Sequence, residues 1–252
     1  MLSKMDLASK LVSLRRNFFP NSCSLCREAL DPKQQIFCTN CINNLPYISQ
    51  HCVRCAEPLL STGICPDCQK TPPNYRQCLT LCDYSYPISS AINSIKQNPY
   101  APETKQLSLL LAKYLQKAYK PLNRPEIMIP MPAHPLKMLS RGFNQSYLIA
   151  EFLSTKLTQT LLRNDICFRK QLGKPQRSQS RLQRMKILAT TFGTRNHSEI
   201  QGKSIALVDD VVTTGSTAKA ATASLLMAGA KSVDLWCIAK TSWHNHSSSI
   251  KI

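Results

Sequence analysis

The sequence predicts an α/β protein, a parallel sheet flanked by helices, with a small cysteine-rich segment in front of it. Three observations carry this. From residue 78 onward, short apolar runs alternate with segments of helical period, the pattern of strands joined through helices. Between residues 23 and 68, eight cysteines fall into four Cys-x-x-Cys brackets. One apolar run, Ile205-Ala206-Leu207-Val208, passes directly into two aspartates and a hydroxyl-rich glycine turn.

The chain has 252 residues, enough for one core domain of ordinary size and a smaller attachment. With 43% hydrophobic and 18% charged residues it is globular in composition, which excludes a wholly disordered chain. Its formal charge of +18 points to a polyanionic partner or substrate. Residues 136–200 hold twelve basic and three acidic side chains, half of the net excess. No stretch approaches the ~20 apolar residues that a spanning helix needs.

Residues 1–20 have no apolar run long enough for a secretory signal. Leu2, Met5, Leu7, Leu11, Val12 and Leu14 fall near helical spacing in a basic background, so an amphipathic helix is expected there. It suits docking on the protein, an organelle transit peptide or a membrane surface.

The brackets Cys23/Cys26, Cys38/Cys41, Cys52/Cys55 and Cys65/Cys68 are separated by eleven, ten and nine residues. Each pair of brackets has the length of a small zinc ribbon, and neither could bury a core without metal. Four sulfurs complete a tetrahedron that Zn2+ accepts without strain. Two structural Zn(Cys)4 sites are therefore expected over residues 21–70, a double zinc ribbon; a reactive dithiol and an iron–sulfur cluster are the other readings. Both zincs would lower the formal charge to about +14. Arg27, Ile42, Ala56 and Gln69 stand where a knuckle usually places glycine. His51 is an alternative ligand, but eight thiolates suffice without it. Cys78, Cys82, Cys167 and Cys237 read as packing residues.

Thr71-Pro72-Pro73-Asn74 is a rigid joint. Beyond it the pattern predicts a strand at 78–84, helices at 89–97 and 103–119, a buried strand at 127–130 and a helix at about 145–162. A polar basic stretch runs to about Lys186, followed by a strand at 204–208, a helix at about 217–228 and a strand at 232–239. This second domain spans residues 75–241, and 242–252 form a flexible tail.

The strand at 204–208 delivers Asp209 and Asp210 to the carboxyl end of the sheet, where open parallel sheets bind ligands. Adjacent carboxylates accept hydrogen bonds from vicinal ribose hydroxyls and favour a nearby Mg2+. Thr213, Thr214, Gly215, Ser216 and Thr217 then open a helix whose free amides, hydroxyls and dipole suit a phosphate. A plain capped helix is the bland reading.

Val208 to Thr217 resembles the diphosphate-sugar signature of type I phosphoribosyltransferases. Pro130-Met131-Pro132 and Arg141-Gly142-Phe143-Asn144-Gln145-Ser146 resemble elements of the ComF/GntX competence family (ComFC-like), whose members begin with paired cysteine brackets. The resemblance extends over about residues 18–240, including Phe19-Pro20, Gln179 to Phe192 and Val233 to Cys237. It implies a type I phosphoribosyltransferase-like parallel sheet of five strands, a mobile hood, and a cytoplasmic role at the inner face of the membrane, where imported single-stranded DNA is handled during transformation. A DNA-import helicase or a recombination mediator would be a partner. By the same resemblance Asp209 and Asp210 bind ribose hydroxyls and Mg2+, Thr213 to Thr217 hold the 5'-phosphate of phosphoribosyl diphosphate, and Pro132 to Arg141 form the pyrophosphate loop with Arg141 as charge partner.

From Arg163 to Lys186 the chain carries Arg163, Arg169, Lys170, Lys174, Arg177, Arg181, Arg184 and Lys186 against Asp165 alone. This reads either as a solvated mobile loop or as a DNA backbone track. Phe168 and Phe192 are the few aromatics nearby; Tyr75, Tyr84 and Tyr86 are alternatives for stacking, with core packing the commoner role. Two functions are consistent with these features: a competence factor that handles single-stranded DNA and holds a phosphoribosyl diphosphate-type ligand, and an active phosphoribosyltransferase of nucleotide salvage. No reader of an acceptor base is recognisable, so activity stays open.

Overall fold

The computed structural model describes residues 22–31, 36–119, 123–170 and 191–242. The expected helix at 1–20, the tail beyond Ser242, and the basic positions Lys174, Arg177, Arg181, Arg184 and Lys186 lie outside the described residues. The chain divides into two compact units, Met1–Leu45 and Pro46–Ile252, so the division falls between the second and third cysteine brackets.

In the first unit, Ser22 bridges Ala29 in antiparallel fashion around the first bracket. A short helix, α1 (Thr39–Asn43), carries Cys41 and starts after Cys38, whose sulfur accepts from the Cys41 amide.

In the second unit the chain first runs along the sheet edge. Tyr47 bridges Cys82, and the amides of Ile48 and Asp83 bond to Leu81 and Pro46 carbonyls. The third and fourth brackets follow, held by a His51–Pro58 bridge and a Cys52–Gly63 bridge, and end in α2 (Pro66–Lys70). Pro66 starts this helix with a φ already suited to it.

Next come β1 (Cys78–Asp83), α3 (Ile88–Gln97), α4 (Pro102–Ala118) and β2 (Ile127–Pro130). They are followed by α5 (Pro135–Arg141), α6 (Gln145–Ser154), β3 (Leu161–Leu162), β4 (Cys167–Arg169) and β5 (Phe192–Thr194). The last elements are α7 (His197–Ile200), β6 (Ser204–Val212), α8 (Ser216–Met227) and β7 (Ser232–Lys240). The sheet has the order β1-β7-β6-β2-β3 with all pairs parallel, while β4 and β5 form a separate antiparallel pair.

Both faces of the sheet are covered, as the continuous apolar runs of β2, β6 and β7 require. Ile205 and Leu207 of β6 join Ile129, Leu235 and α8 in one core. The intervening Ala206 and Val208 are equally buried, and that face carries α4 and α6. Trp236 donates to Tyr119 at the end of α4 at 2.9 Å, and Tyr119 donates in turn to the buried Asp234.

The expected parallel α/β fold is present, with local differences, among them the β4–β5 pair and α7, which lie where no strand or helix was expected. The helix expected to reach residue 162 stops at Ser154, because Ser154 and Thr155 bond back to the Glu151 and Phe152 carbonyls and free the chain for β3. The strand expected to end at Val208 continues to Val212, since Asp209, Val211 and Val212 still pair with β7. The segment from Pro132 to Arg141, expected as a loop, contains α5, capped by the His134 ring on the Leu136 amide.

Candidate functional site

The carboxyl ends of β6 and β2 meet where α8 begins. Gly215 adopts φ +72 and caps α8 with its backbone alone; a Cβ here would also sit 3.2 Å from the Tyr75 hydroxyl oxygen. Gly215 offers no capping side chain to this twelve-residue helix, whose first turn holds no acid; the Thr214 hydroxyl accepts from the Ser216 amide at a long 3.4 Å. The leading amides of α8 precede the first helical bond, from Lys219 to the Gly215 carbonyl, and have no intrahelical partner. The Thr213, Thr214, Ser216 and Thr217 side chains are exposed around them, with the Thr214 and Ser216 hydroxyls 2.8 Å apart. Donor-rich, positive and open, a turn of this kind has the chemistry that suits an anion.

Asp209 and Asp210 stand beside it, held by different elements. Asp209 accepts from the Ser146 hydroxyl at 2.8 Å and from the Asp210 amide at 2.9 Å. Burial and the neighbouring Asp210 charge push its carboxyl well above the ordinary range, and the Ser146 bond only partly opposes them. Asp210 is 5% exposed and pairs with Lys96 of α3 at 3.2 Å.

The Arg141 to Ser146 motif explains how Ser146 arrives there. Gly142 ends α5 at φ +77; Asn144 then caps α6 through the Ser146 amide and donates to the Met131 carbonyl at the end of β2. Arg141 bonds to Gln145 at 3.2 Å, and its described hydrogen bond does not reach the 209–217 segment.

A cavity of about 200 Å³ lies on the other flank of the loop, lined by Glu57, Tyr75, Thr213, Gly215, Lys219 and Lys240 among others. Lys240, 3% exposed, pairs with Glu57 at 2.8 Å and donates to the Thr213 carbonyl at 3.1 Å. Lys96, Ser146, Lys240 and Glu57 were all missed by sequence reasoning. Lys96, Lys240 and Glu57 are single polar residues in unremarkable local contexts, and Ser146, although part of the Arg141–Ser146 motif, carried no role there; the fold brings all four to the loop.

The eight bracket cysteines form two clusters, Cys23/Cys26/Cys38/Cys41 in the first unit and Cys52/Cys55/Cys65/Cys68 in the second, with all sulfurs of a cluster within 4.8 Å of one another. Cys26–Cys38 and Cys55–Cys65 are each 3.7 Å apart, close to the edge of roughly 3.8 Å that a tetrahedron with ~2.3 Å Zn–S bonds would have. Burial pushes the Cys23 thiol up, but amides of Cys26, Cys38 and Leu25 outweigh it and bring it to about 6. Cys52 is brought to about 7 by the same balance, with the amides of Cys65, Cys55 and Arg54 prevailing over burial. Burial and the adjacent sulfurs push Cys41 and Cys55 up, and Cys68 up to about 12. Four thiolates at this spacing need a dication between them, and Zn2+ fits the donor set.

Arg27 (φ 66) and Ala56 (φ 61) adopt the left-handed turn usually given to glycine, whereas Ile42 and Gln69 lie in α1 and α2 and do not need it. His51 stands outside both clusters, and Cys78, Cys82, Cys167 and Cys237 are buried in the second unit.

Of the expected DNA contacts, Arg169 and Lys170 are described. The Arg169 guanidinium lies 5.5 Å from the Phe192 ring centroid, and Lys170 is exposed beside it. Arg195 covers Phe168 at 4.4 Å. Arg163 is committed internally, paired with Asp165 at 2.7 Å and with Glu199. Tyr75 is buried against Gly215, while Tyr86 is 77% exposed.

Residues 14–69 match the double zinc ribbon domain family and residues 144–248 the phosphoribosyl transferase domain family. The chain is 30% identical over 225 residues to the DNA utilization protein YhgH of Shigella flexneri, covering 88% of this chain and 98% of that protein. It is 31% identical over 231 residues to competence protein F of Haemophilus influenzae, covering 89% and 99%. Among solved structures, a purine phosphoribosyltransferase from Pyrococcus horikoshii overlays 54% of this chain and 70% of its own at 20% identity and a TM-score of 0.34.

Proposed function

The chain belongs to the ComF/GntX family of competence and DNA utilization proteins, in which a double zinc ribbon precedes a phosphoribosyltransferase-type domain, and from that premise we propose that it handles imported single-stranded DNA in the cytoplasm. In this reading its 209–217 segment holds phosphoribosyl diphosphate or a related phosphate ligand. The observation that carries the pocket is the open amino end of α8 beside the Ser146–Asp209 and Lys96–Asp210 pairs. The 5'-phosphate would take the amides and hydroxyls of Thr213 to Thr217, and the ribose hydroxyls would donate to Asp209 and Asp210.

Two carboxylates and a diphosphate make an all-oxygen donor set of the kind Mg2+ accepts, the metal being held mainly through the ligand's phosphates. Lys96 stands beside Asp210 at 3.2 Å and offers a resident positive charge to the same site. By the resemblance of its motif Arg141 would serve the diphosphate end, turning from Gln145 toward the ligand. A DNA-import helicase or recombination mediator at the membrane face fits the same role, and no helix among the described residues is long and apolar enough to span a membrane.

Calorimetry with phosphoribosyl diphosphate and Mg2+ tests the pocket. Wild type is expected to bind one equivalent and Asp210→Asn at least tenfold more weakly; absence of heat from the folded wild type overturns the reading. An active transferase is the second reading, favoured by the Asp209 and Asp210 carboxylates beside the hydroxyl-rich turn. It requires pyrophosphate release in a panel of acceptor bases, and binding without release leaves a ligand pocket alone.

A further inference from the structure

The second cysteine cluster is joined to the phosphate loop by a continuous set of contacts. The Glu57 carbonyl accepts from the Cys52 amide at 2.8 Å, closing the knuckle that presents Cys52 and Cys55. The Glu57 carboxylate, on a residue 1% exposed, meets the Lys240 ammonium at 2.8 Å. Lys240 then donates to the Thr213 carbonyl at 3.1 Å and the Thr241 carbonyl at 2.5 Å. Two other contacts reinforce the path: Asn74 donates to the Lys219 carbonyl in the first turn of α8 at 2.9 Å, and Tyr75 packs beneath Gly215.

An ion pair buried this deeply is a costly way to stabilise a core, since apolar residues of like volume generally do as well. It does supply direction. A lysine fixed by a carboxylate holds the Thr213 carbonyl on the flank of the loop, away from the leading amides of α8, of which that of Ser216 makes only a long 3.4 Å bond to the Thr214 hydroxyl. We infer that Lys240, held by Glu57 of the second ribbon, is a positioning residue for the phosphate loop, and that the second metal cluster thereby sets the geometry of the ligand site. This rests on the reading of residues 213–217 as a phosphate site. The role of the ribbon is then local and mechanical: metal fixes the knuckle, the knuckle fixes Glu57, and Glu57 fixes the lysine that holds the loop.

The test uses the full chain with both charges removed together, Glu57→Gln/Lys240→Met, so that no unpaired ion is left in the core. Hydrogen exchange at the amides of residues 213–218, zinc content and thermal melting are measured against wild type. The expected result is two zincs retained, melting within a few degrees of wild type and loop exchange about tenfold faster. Phosphoribosyl diphosphate with Mg2+ should bind about tenfold more weakly. Unchanged loop exchange in the folded double variant overturns the inference. A role in packing alone would move melting and leave loop exchange alone. Should the double variant fail to fold, Lys240→Arg, which keeps the ion pair with Glu57 but moves the donors off the Thr213 carbonyl, is expected to speed loop exchange about threefold, and no change there is equally fatal. A wild type that takes up no phosphoribosyl diphosphate overturns the pocket, while the exchange measurement still decides the coupling.

Discussion

At the scale of a single residue, Asp209 is the carboxyl that the fold strains most clearly. Its carboxyl is pushed up by burial and by Asp210, so the folded protein binds this proton more tightly than the unfolded chain does. The stability it contributes is complete below the unfolded carboxyl value of about 3.9 and is lost as pH rises toward the raised native value. Asp209→Asn is neutral at every pH. Without added Mg2+, its melting temperature is expected to exceed wild type by several degrees at pH 8, with the advantage shrinking as pH falls toward 5. A pH-independent difference would show that the carboxyl is not strained. The same variant should lose ligand binding, the usual opposition between stability and a charged site. Asp209, Asp210 and the Thr213–Thr217 turn could be picked out as candidates from the sequence because they are contiguous, and the structure places them side by side at the end of β6. Ser146 and Lys96 could not be picked out, since 63 residues separate Ser146 from Asp209 and only tertiary structure joins them.

At the scale of elements, apolar period read strands and helices correctly where the core decides, and failed where polar residues decide. The helix from Gln145 ends at Ser154 through hydroxyl-to-carbonyl bonds that leave no trace in an apolar pattern. Beta-sheet pairing to β7 extends β6 past two aspartates, residues that strand propensity disfavours. Asp234 shows how such polar residues hold elements together. From within β7, at 1% exposure, it accepts from Arg76 at 2.7 and 2.6 Å, from Gln77 at 3.0 Å and from Tyr119. It thus ties β7 to the segment after the second ribbon and to the end of α4. Asp234→Ala leaves Tyr119 and Gln77 without their buried acceptor, and a loss of about 3 kcal/mol is expected in urea unfolding. Asp234→Asn keeps an acceptor and should lose about half as much. Equal, small losses in both would show that the network is incidental.

The charge of the whole molecule is the feature that composition shows and no single contact explains. Of the three acids between residues 136 and 200, Asp165 and Glu199 both serve Arg163, which leaves Glu151 alone in that segment against the other cations. Elsewhere among the described residues Lys96, Lys203 and Lys240 pair with Asp210, Glu126 and Glu57, while half of the formal excess, +9 of +18, is carried by residues 136–200. The aromatic rings of β4 and β5 are already covered by Arg195 and Arg169, and Phe192 is 2% exposed, so little ring surface is left for bases. Binding to single-stranded DNA should therefore be electrostatic, tolerant of sequence and steep in salt. If the basic segment neutralises about six phosphates, fluorescence anisotropy with a single-stranded oligonucleotide should give a slope of log affinity against log salt near −4. Arg169→Ala/Lys170→Ala should reduce that slope by about 1.4, the share of two phosphates, and weaken binding alike for pyrimidine-rich and mixed sequences. A slope near zero, or one the double variant leaves unchanged, would remove this segment from the DNA path.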